Sequence, residues 1–148
     1  MVVSNRAVPW RRYLWLALIV TAVLPSACSR STRKPVFPAR GQVVINGKPA
    51  AGATVFFNPV ESDPEAIAPY GVTDANGTFT LTTYLTFDGA PAGEYVVTIR
   101  APGPPQRADE DQGPDRLKGR YNDVKKSTLR ATIERKPNVL EPFQLSTK

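Results

Sequence analysis

The sequence lacks histidine entirely and holds a single cysteine, Cys28, among its 148 residues. The absence of histidine excludes Ser-His-Asp and Cys-His catalysis, histidine-ligated metals and a histidine pH switch. One cysteine can form neither an internal disulfide nor a zinc site made of several thiolates. The sequence also contains no phosphate-binding loop and no nucleophile with an identifiable base. We therefore expect a chain that is not an enzyme and that needs no metal or other cofactor.

Acidic residues are fewer than basic ones, 13 against 19, which gives a formal net charge of +6. Seven basic residues precede residue 41, namely Arg6, Arg11, Arg12, Arg30, Arg33, Lys34 and Arg40. Residues 41–148 therefore hold 12 basic and 13 acidic side chains, a net charge of −1. Because a nucleic-acid-binding domain is expected to be basic, we expect no nucleic-acid partner.

The first 27 residues have the pattern of a targeting segment. Residues 1–12 carry three arginines and no acidic residue, and residues 13–24 form an apolar run in which Thr21 is the one clearly polar member. A membrane-spanning helix needs roughly 20 apolar residues, so this run is short for a permanent anchor. It has instead the length of the apolar region of a signal peptide, which is roughly 7–15 residues.

The run ends at Ser26-Ala27-Cys28, which resembles the end of a bacterial lipoprotein signal, although Pro25 stands where that family usually has Leu. The resemblance implies cleavage before Cys28, acylation of its sulfur, and attachment to a membrane on the periplasmic or extracellular side of the cell envelope. A plain secretory signal and an uncleaved anchor are the alternatives. Residues 28–40 are then expected to form a basic, proline-containing tether that reaches up to about 40 Å.

From residue 41 onward, short runs of alternating apolar residues are separated by turn residues. The Asn46-Gly47 pair is a strong hairpin signal. Nine residues with period-two spacing are expected to point inward: Val43, Ile45, Val55, Phe57, Phe79, Leu81, Tyr95, Val97 and Ile99. The expected strands are 41–46, 53–58, 70–74, 78–84, 94–100, 129–135 and 139–145. This pattern predicts an all-β domain over residues 41–148, a seven-stranded antiparallel β-sandwich.

The blocks GQVVINGKPAAGATVFF, TDANGTFTL and GAPAGEYVVTI follow one another in this order, with RYNDVKKSTLRATI and NVLEPFQL after them. In this order they resemble the carboxypeptidase-regulatory-like, transthyretin-like modules of small bacterial envelope lipoproteins. The resemblance implies a prealbumin-like Greek-key sandwich that serves as a structural or binding module. Two functions are therefore expected: a lipid-anchored module that contacts an envelope protein, or an envelope module that binds polysaccharide.

Tyr70, Tyr84 and Phe87, together with Asp88, are the candidate ligand contacts, since aromatic faces near a carboxylate could stack on sugar rings. Aromatic residues at strand ends also commonly close a core, which is the alternative.

Two further groups of residues suggest other chemistry. Asp74, Asn76 and Asp88 could offer oxygen ligands to Ca²⁺, but Asp and Asn are also the residues that turns prefer. Lys48, Asn58 and Glu94 could form an intramolecular isopeptide bond, but a lysine in a hairpin turn is normally solvated.

Residues 101–120 contain four prolines and a balanced set of charges, and they are long for a loop in a compact domain. They are either a loop that docks a partner or a mobile surface excursion, and Tyr121 is expected to fix the return of the chain to the sandwich.

Overall fold

The computed structural model describes residues 33–61, 66–109 and 111–148, so the signal segment and Cys28 lie outside the described residues. The described chain consists of strands, turns and loops. Its eleven strands are β1 (Val36–Phe37), β2 (Ala39–Ile45), β3 (Lys48–Pro49), β4 (Thr54–Pro59), β5 (Tyr70–Val72), β6 (Thr78–Thr80), β7 (Ala90–Pro91), β8 (Gly93–Arg100), β9 (Arg130–Ile133), β10 (Asn138–Val139) and β11 (Phe143–Leu145).

The strands form two main sheets and one short ribbon. The first sheet is antiparallel and has the order β5-β4-β8-β9. The second is centred on β2, which pairs with β6 and β3 along one edge and with β10 and β11 along the other. The ribbon joins β1 to β7. The prediction of an all-β domain is therefore confirmed.

The strand count and the strand directions differ from the prediction of seven antiparallel strands. β10 and β11 both run parallel to β2, so the prediction of a purely antiparallel sandwich is wrong. The expected last strand is also divided in two by residues 140–142. Pro142 lies in that interruption, and a proline has no backbone N–H to donate to a ladder. Periodicity identifies the apolar face of a strand, but it does not identify the neighbour with which the strand pairs.

The β2–β3 hairpin forms where Asn46-Gly47 predicts it. Ile45 pairs with Lys48, so the connection has two residues, and their φ angles are 50° for Asn46 and 78° for Gly47. Positive φ at both positions is the requirement of a type I′ turn, which Asn-Gly satisfies at low cost.

Side chains from the two main sheets pack against each other in one hydrophobic core. All nine residues that were expected to point inward are buried. Phe57 on β4 is the centre of an aromatic cluster, with ring centroids 6.3 Å from Phe79, 5.6 Å from Tyr95 and 6.4 Å from Phe143. Because Phe79 and Phe143 belong to the sheet around β2, these contacts join the two layers of the sandwich.

The folded unit begins before residue 41. The compact unit of the described chain starts at Arg33, β1 and β2 include residues 36–37 and 39–40, and Ala39 is buried in the core. The boundary expected between a tether over 28–40 and a domain over 41–148 is therefore placed too late, because strand pairing extends back into the proline-containing segment.

The sandwich has two ends that carry different loops. The chain enters at the end formed by β1, by the loop of residues 82–89 and by the start of β8, where the Tyr95 hydroxyl donates to the Pro91 carbonyl. We call this the entry end. The opposite end carries the Asn46-Gly47 turn, the turn of residues 74–77 and the return of residues 101–120, where Arg116 donates to the Ala51 carbonyl. We call this the distal end.

Candidate functional site

The predicted ligand contacts Tyr84, Phe87 and Asp88 lie together in the 82–89 loop at the entry end. The Asp88 carboxylate organises this loop, because Oδ1 accepts the backbone N–H of Thr83 at 2.7 Å and Oδ2 accepts those of Tyr84 and Leu85 at 3.0 and 2.9 Å. Burial opposes ionisation of Asp88, but the hydrogen bonds from these three residues outweigh it and hold the pKa of the carboxyl below its usual value. Asp88 therefore serves its own loop.

Two apolar side chains project from this ordered loop into solvent. Leu85 is 69% exposed and Phe87 is 66% exposed. Phe87 adopts a φ of 60°, which is uncommon for a bulky residue, and its backbone N–H donates to the Thr82 hydroxyl at 2.9 Å. The loop conformation thus directs Phe87 outward at the expense of backbone strain.

Tyr84 contacts the start of the described chain. Its hydroxyl accepts the backbone N–H of Lys34 at 3.1 Å, and the guanidinium carbon of Arg33 lies 5.3 Å from its ring centroid, within the range of a cation–π contact. Tyr84 therefore fixes residues 33 and 34 against the sandwich, and its ring face is occupied by Arg33.

Tyr84 also affects the ionisation of Tyr95. Burial and the nearby Tyr84 hydroxyl raise the pKa of Tyr95 to about 12.

Tyr70 is joined to the 82–89 loop through the backbone, but its ring lies elsewhere. Its N–H and carbonyl pair with Thr82 at 3.0 and 2.8 Å. Its ring packs against Phe56, with centroids 6.3 Å apart, and both rings are partly exposed on the outer face of β4 and β5. Sequence reasoning missed Phe56, although alternation along β4 placed it on the face opposite to the buried Val55 and Phe57.

The residues considered for calcium belong to separate turns. Asp74 Oδ1 accepts the backbone N–H groups of Asn76 and Thr78 at 2.8 and 2.9 Å, which is an ordinary Asx-turn arrangement. Asp88 is occupied in the 82–89 loop at the other end of the sandwich. Within residues 33–61, 66–109 and 111–148, no group of three or more His, Cys, Asp or Glu side chains is placed to hold a metal ion.

The structure does not bring together the residues considered for an isopeptide bond. Lys48 is exposed on β3, which belongs to the sheet around β2. Asn58 lies on β4, where its amide donates to the Val96 carbonyl at 3.1 Å and to the Thr98 hydroxyl at 3.2 Å. Glu94 is exposed at the start of β8. The chemistry requires a buried lysine beside its partner, and Lys48 does not meet that requirement.

Residues 101–120 are held to the sandwich at both of their ends. Across the neck of the loop, the Gly103 N–H donates to the Pro114 carbonyl at 2.9 Å and the Gly113 N–H donates to the Gly103 carbonyl at 3.0 Å. The Arg116 backbone N–H donates to the Ala101 carbonyl at 2.8 Å. The Asp115 carboxylate accepts the N–H groups of Ala101 and Leu117 through Oδ1, at 2.9 and 3.1 Å, and of Gly119 through Oδ2, at 2.9 Å. The projecting part therefore lies between Gly103 and Gly113, and the loop is held to the sandwich at its base.

Tyr121 fixes the return of this loop, as the sequence predicts. Its carbonyl accepts the N–H of Ile99 at 2.9 Å, and its hydroxyl accepts the N–H of Ser146 at 3.3 Å. Its ring packs against the core from a partly buried position. Tyr121 thus joins the end of β8 to the segment that follows β11.

An open groove of about 450 Å³ lies on the sheet around β2. It is lined by residues of β2, β6 and the segment that connects β10 to β11, among them Arg40, Gln42, Thr78 and Glu141. Gln42 already donates to the Asn76 carbonyl at 2.9 Å. The groove is open to solvent.

The described residues include no helix with the length and apolar character that a membrane crossing requires. The chain matches no protein-family model. No curated protein matches it either.

Two solved structures resemble the fold at a distance. A DUF3823 family protein from Parabacteroides merdae is similar over 77% of this chain, with 12% identity and a TM-score of 0.41, and the chain spans 46% of that protein. A 9R-lipoxygenase from Cyanothece is similar over 75% of this chain, with 14% identity and a TM-score of 0.37, and the chain spans 16% of it. The strand pairing of the described residues itself defines the class, an all-β sandwich domain, and the function has to be argued from the residues of this chain.

Proposed function

We propose that this chain is an exported, lipid-anchored protein of a bacterial cell envelope whose sandwich is a non-catalytic structural or protein-interaction module. Cys28 carries the lipid in this proposal, since it is the sole thiol and directly follows the apolar run and two small residues. The order of the turn and strand blocks, which resembles carboxypeptidase-regulatory-like modules, supports the same assignment. The side of attachment is periplasmic or extracellular.

The observation that carries the proposal is the separation of the two ends of the sandwich. The described chain starts at the entry end, where Arg33 and Lys34 contact Tyr84. The loop of residues 101–120 returns at the distal end, where Asp115 fixes its neck. An anchor that precedes residue 33 therefore leaves the distal end directed away from the membrane and accessible to a partner.

The projecting part of that loop has the character of a polar contact surface. Arg107, Asp109 and Asp111 lie within it, and they are exposed. Docking is favoured when a loop is held at its base, because less conformational entropy is then lost on binding. The neck bonded through Asp115 provides that constraint.

The anchor is tested by replacing Cys28 with Ala or Ser in the native host, with Ser31→Ala as a matched control. Wild type and Ser31→Ala are expected to incorporate labelled palmitate and to sediment with membranes, and both Cys28 variants are expected to be released. Membrane-bound wild-type protein without label contradicts lipid anchoring, because the protein is then held in another way.

The partner surface is tested by placing a photo-crosslinking amino acid at Asp109, in the distal loop, or at Val139, which is exposed on β10. Crosslinks on intact cells to one defined protein from Asp109, and not from Val139, are expected. Equal crosslinking from both positions, or crosslinking from Val139 alone, contradicts a partner at the distal end.

Polysaccharide binding is a second candidate, and the paired rings of Phe56 and Tyr70 favour it. Adjacent aromatic faces on the outside of a sheet can stack on sugar rings, and both rings are partly exposed. This candidate predicts retention of the protein on envelope polysaccharide, with loss of binding in Tyr70→Ala and no change in Val72→Ala on the same strand. Retention that is the same in both variants removes the candidate.

A further inference from the structure

The distance between Cys28 and the folded unit bears on which surface of the sandwich meets a membrane. Five residue steps separate Cys28 from Arg33. A fully extended chain advances about 3.3–3.6 Å per residue, so this segment spans at most about 18 Å. The tether is thus less than half as long as the approximately 40 Å expected for residues 28–40, because residues 33–40 contact or belong to the sandwich.

The 82–89 loop is the feature of the entry end that lies beside the first described residues. Arg33 lies over the ring of Tyr84, and Tyr84 is followed by the exposed Leu85 and, two residues later, by the exposed Phe87. Apolar side chains at a tip, with cationic residues next to them, are the usual features of a surface that enters the interfacial region of an anionic bilayer.

The loop is also built to keep these side chains outside the core. The Asp88 carboxylate fixes three successive N–H groups, and Phe87 is held at positive φ by its bond to Thr82. A strained residue persists only where its surroundings determine its conformation, and such residues concentrate at functional positions. The exposure of Phe87 is therefore a specified property of the loop.

We propose that Leu85 and Phe87 form a membrane-contact surface that enters the headgroup region of an anionic bilayer next to the anchored Cys28. Arg33 adds electrostatic attraction to anionic lipid in the same place. This inference rests on the proposed membrane anchoring. It adds the orientation of the sandwich on the membrane: the entry end lies on the lipid surface and the distal end points away. The occupant of the surface is lipid, not another protein.

The test uses the full chain made by cell-free translation, with Trp10→Phe and Trp15→Phe so that the described domain carries the sole tryptophan. Phe87→Trp is the probe, Leu85→Trp is a second probe in case the first disturbs the loop, and Val72→Trp is the matched control because Val72 is an exposed apolar residue toward the distal end of β5. Cys28, as the sole thiol, is coupled to a maleimide lipid in vesicles of phosphatidylethanolamine and phosphatidylglycerol. Coupling fixes the chain at residue 28 whether or not cells acylate it.

Both loop probes are expected to show a blue-shifted emission and quenching by lipids brominated in the acyl chains, and Val72→Trp is expected to show neither. Arg33→Gln should reduce the quenching on anionic vesicles. The proposal is overturned if the emission of both loop probes equals that of the control. It is also overturned if the blue shift appears in solution and grows with protein concentration, because that would show that a second copy of the chain covers the loop. The Cys28 variants in cells test the anchor separately, so either idea can fail alone.

Discussion

Gly89 is the last residue of the 82–89 loop, directly before β7, and it packs closely against the backbone of Phe37 in β1. Its substitution is the most informative perturbation of the entry end. Its φ is +101°, and a Cβ built on it lies 1.9 Å from the Phe37 carbonyl oxygen and 2.8 Å from the Pro38 nitrogen. Two hydrogen bonds hold the backbone of Gly89 in place: its N–H donates to the Leu81 carbonyl at 3.0 Å, and its carbonyl accepts the Thr83 hydroxyl at 2.6 Å. In Gly89→Ala, β1 must therefore move away from β7.

The magnitude follows from two contributions. A residue with a Cβ at positive φ costs about 1–2 kcal/mol. Separation of β1 from β7 removes the short ladder of residues 36–37 with 90–91, and each hydrogen bond lost there costs about 1 kcal/mol net. We expect Gly89→Ala to lose about 3–4 kcal/mol of unfolding free energy. Gly47→Ala is the matched control, since Gly47 has φ +78° and its Cβ would have no atom within 4 Å.

The assay is urea denaturation of the detergent-solubilised protein, followed by far-UV circular dichroism. Gly47→Ala should lose about 1–2 kcal/mol, the conformational contribution alone. Gly89→Ala should lose at least about 1 kcal/mol more, because it also separates β1 from β7. Equal losses in the two variants would refute the reasoning, since they would show that β1 is not seated against Gly89.

Three other predictions follow from single side chains. Asp115→Ala should destabilise the protein by about 1.5–3 kcal/mol and speed tryptic cleavage after Arg107, because three N–H groups lose a charged acceptor; unchanged cleavage would show that Asp115 does not hold the neck. Phe57→Ala should cost about 3–5 kcal/mol, measured by urea denaturation, since it opens a cavity among three aromatic rings; a cost near 1 kcal/mol would mean that the core collapses around it. The pKa of Tyr95 is raised to about 12, so the neutral phenol stabilises the fold fully below about pH 10 and this contribution is lost between about pH 10 and 12. Over that range Tyr95→Phe should lose less unfolding free energy than the wild type. If the unfolding free energies of the two proteins change with pH in parallel, the raised pKa of Tyr95 is contradicted.

Much of the core could be predicted because inward-facing residues of a strand obey a local rule. Val55 and Phe57 on β4, and Val97 and Ile99 on β8, alternate with partly exposed or polar neighbours, and all four are buried. The Asn46-Gly47 turn was equally predictable, because the positive φ angles it needs are a property of those two residues. Local chemistry was sufficient in both cases.

The candidate site was less predictable because its geometry depends on non-local pairing. Tyr84 and Phe87 were identified as aromatic residues near a turn, but the contact of Tyr84 with Arg33 joins positions 51 residues apart. The pairing of Tyr70 with Thr82 likewise sets the loop beside β5. No periodicity within either segment contains that information, so the three rings looked like one cluster when Tyr84 and Tyr70 in fact contact different partners.

The parallel pairing places β2 between strands on both of its edges, which determines how this strand resists a load along its length. In the proposed anchored protein, a pull from before residue 33 loads the contacts of residues 33 and 34 with Tyr84 and the β1–β7 ribbon first, and then β2, which directly follows β1. Residues 39–45 are bonded on one edge to β6 and β3 and on the other to β10 and β11. Inter-strand hydrogen bonds lie across the strand direction, so a load along β2 is shared among them and does not open them one at a time. If β2 lay at the edge of a purely antiparallel sheet, hydrogen bonds to other strands would hold it on one side alone. The C-terminal strands β10 and β11 close the second edge and so place β2 in the middle of its sheet.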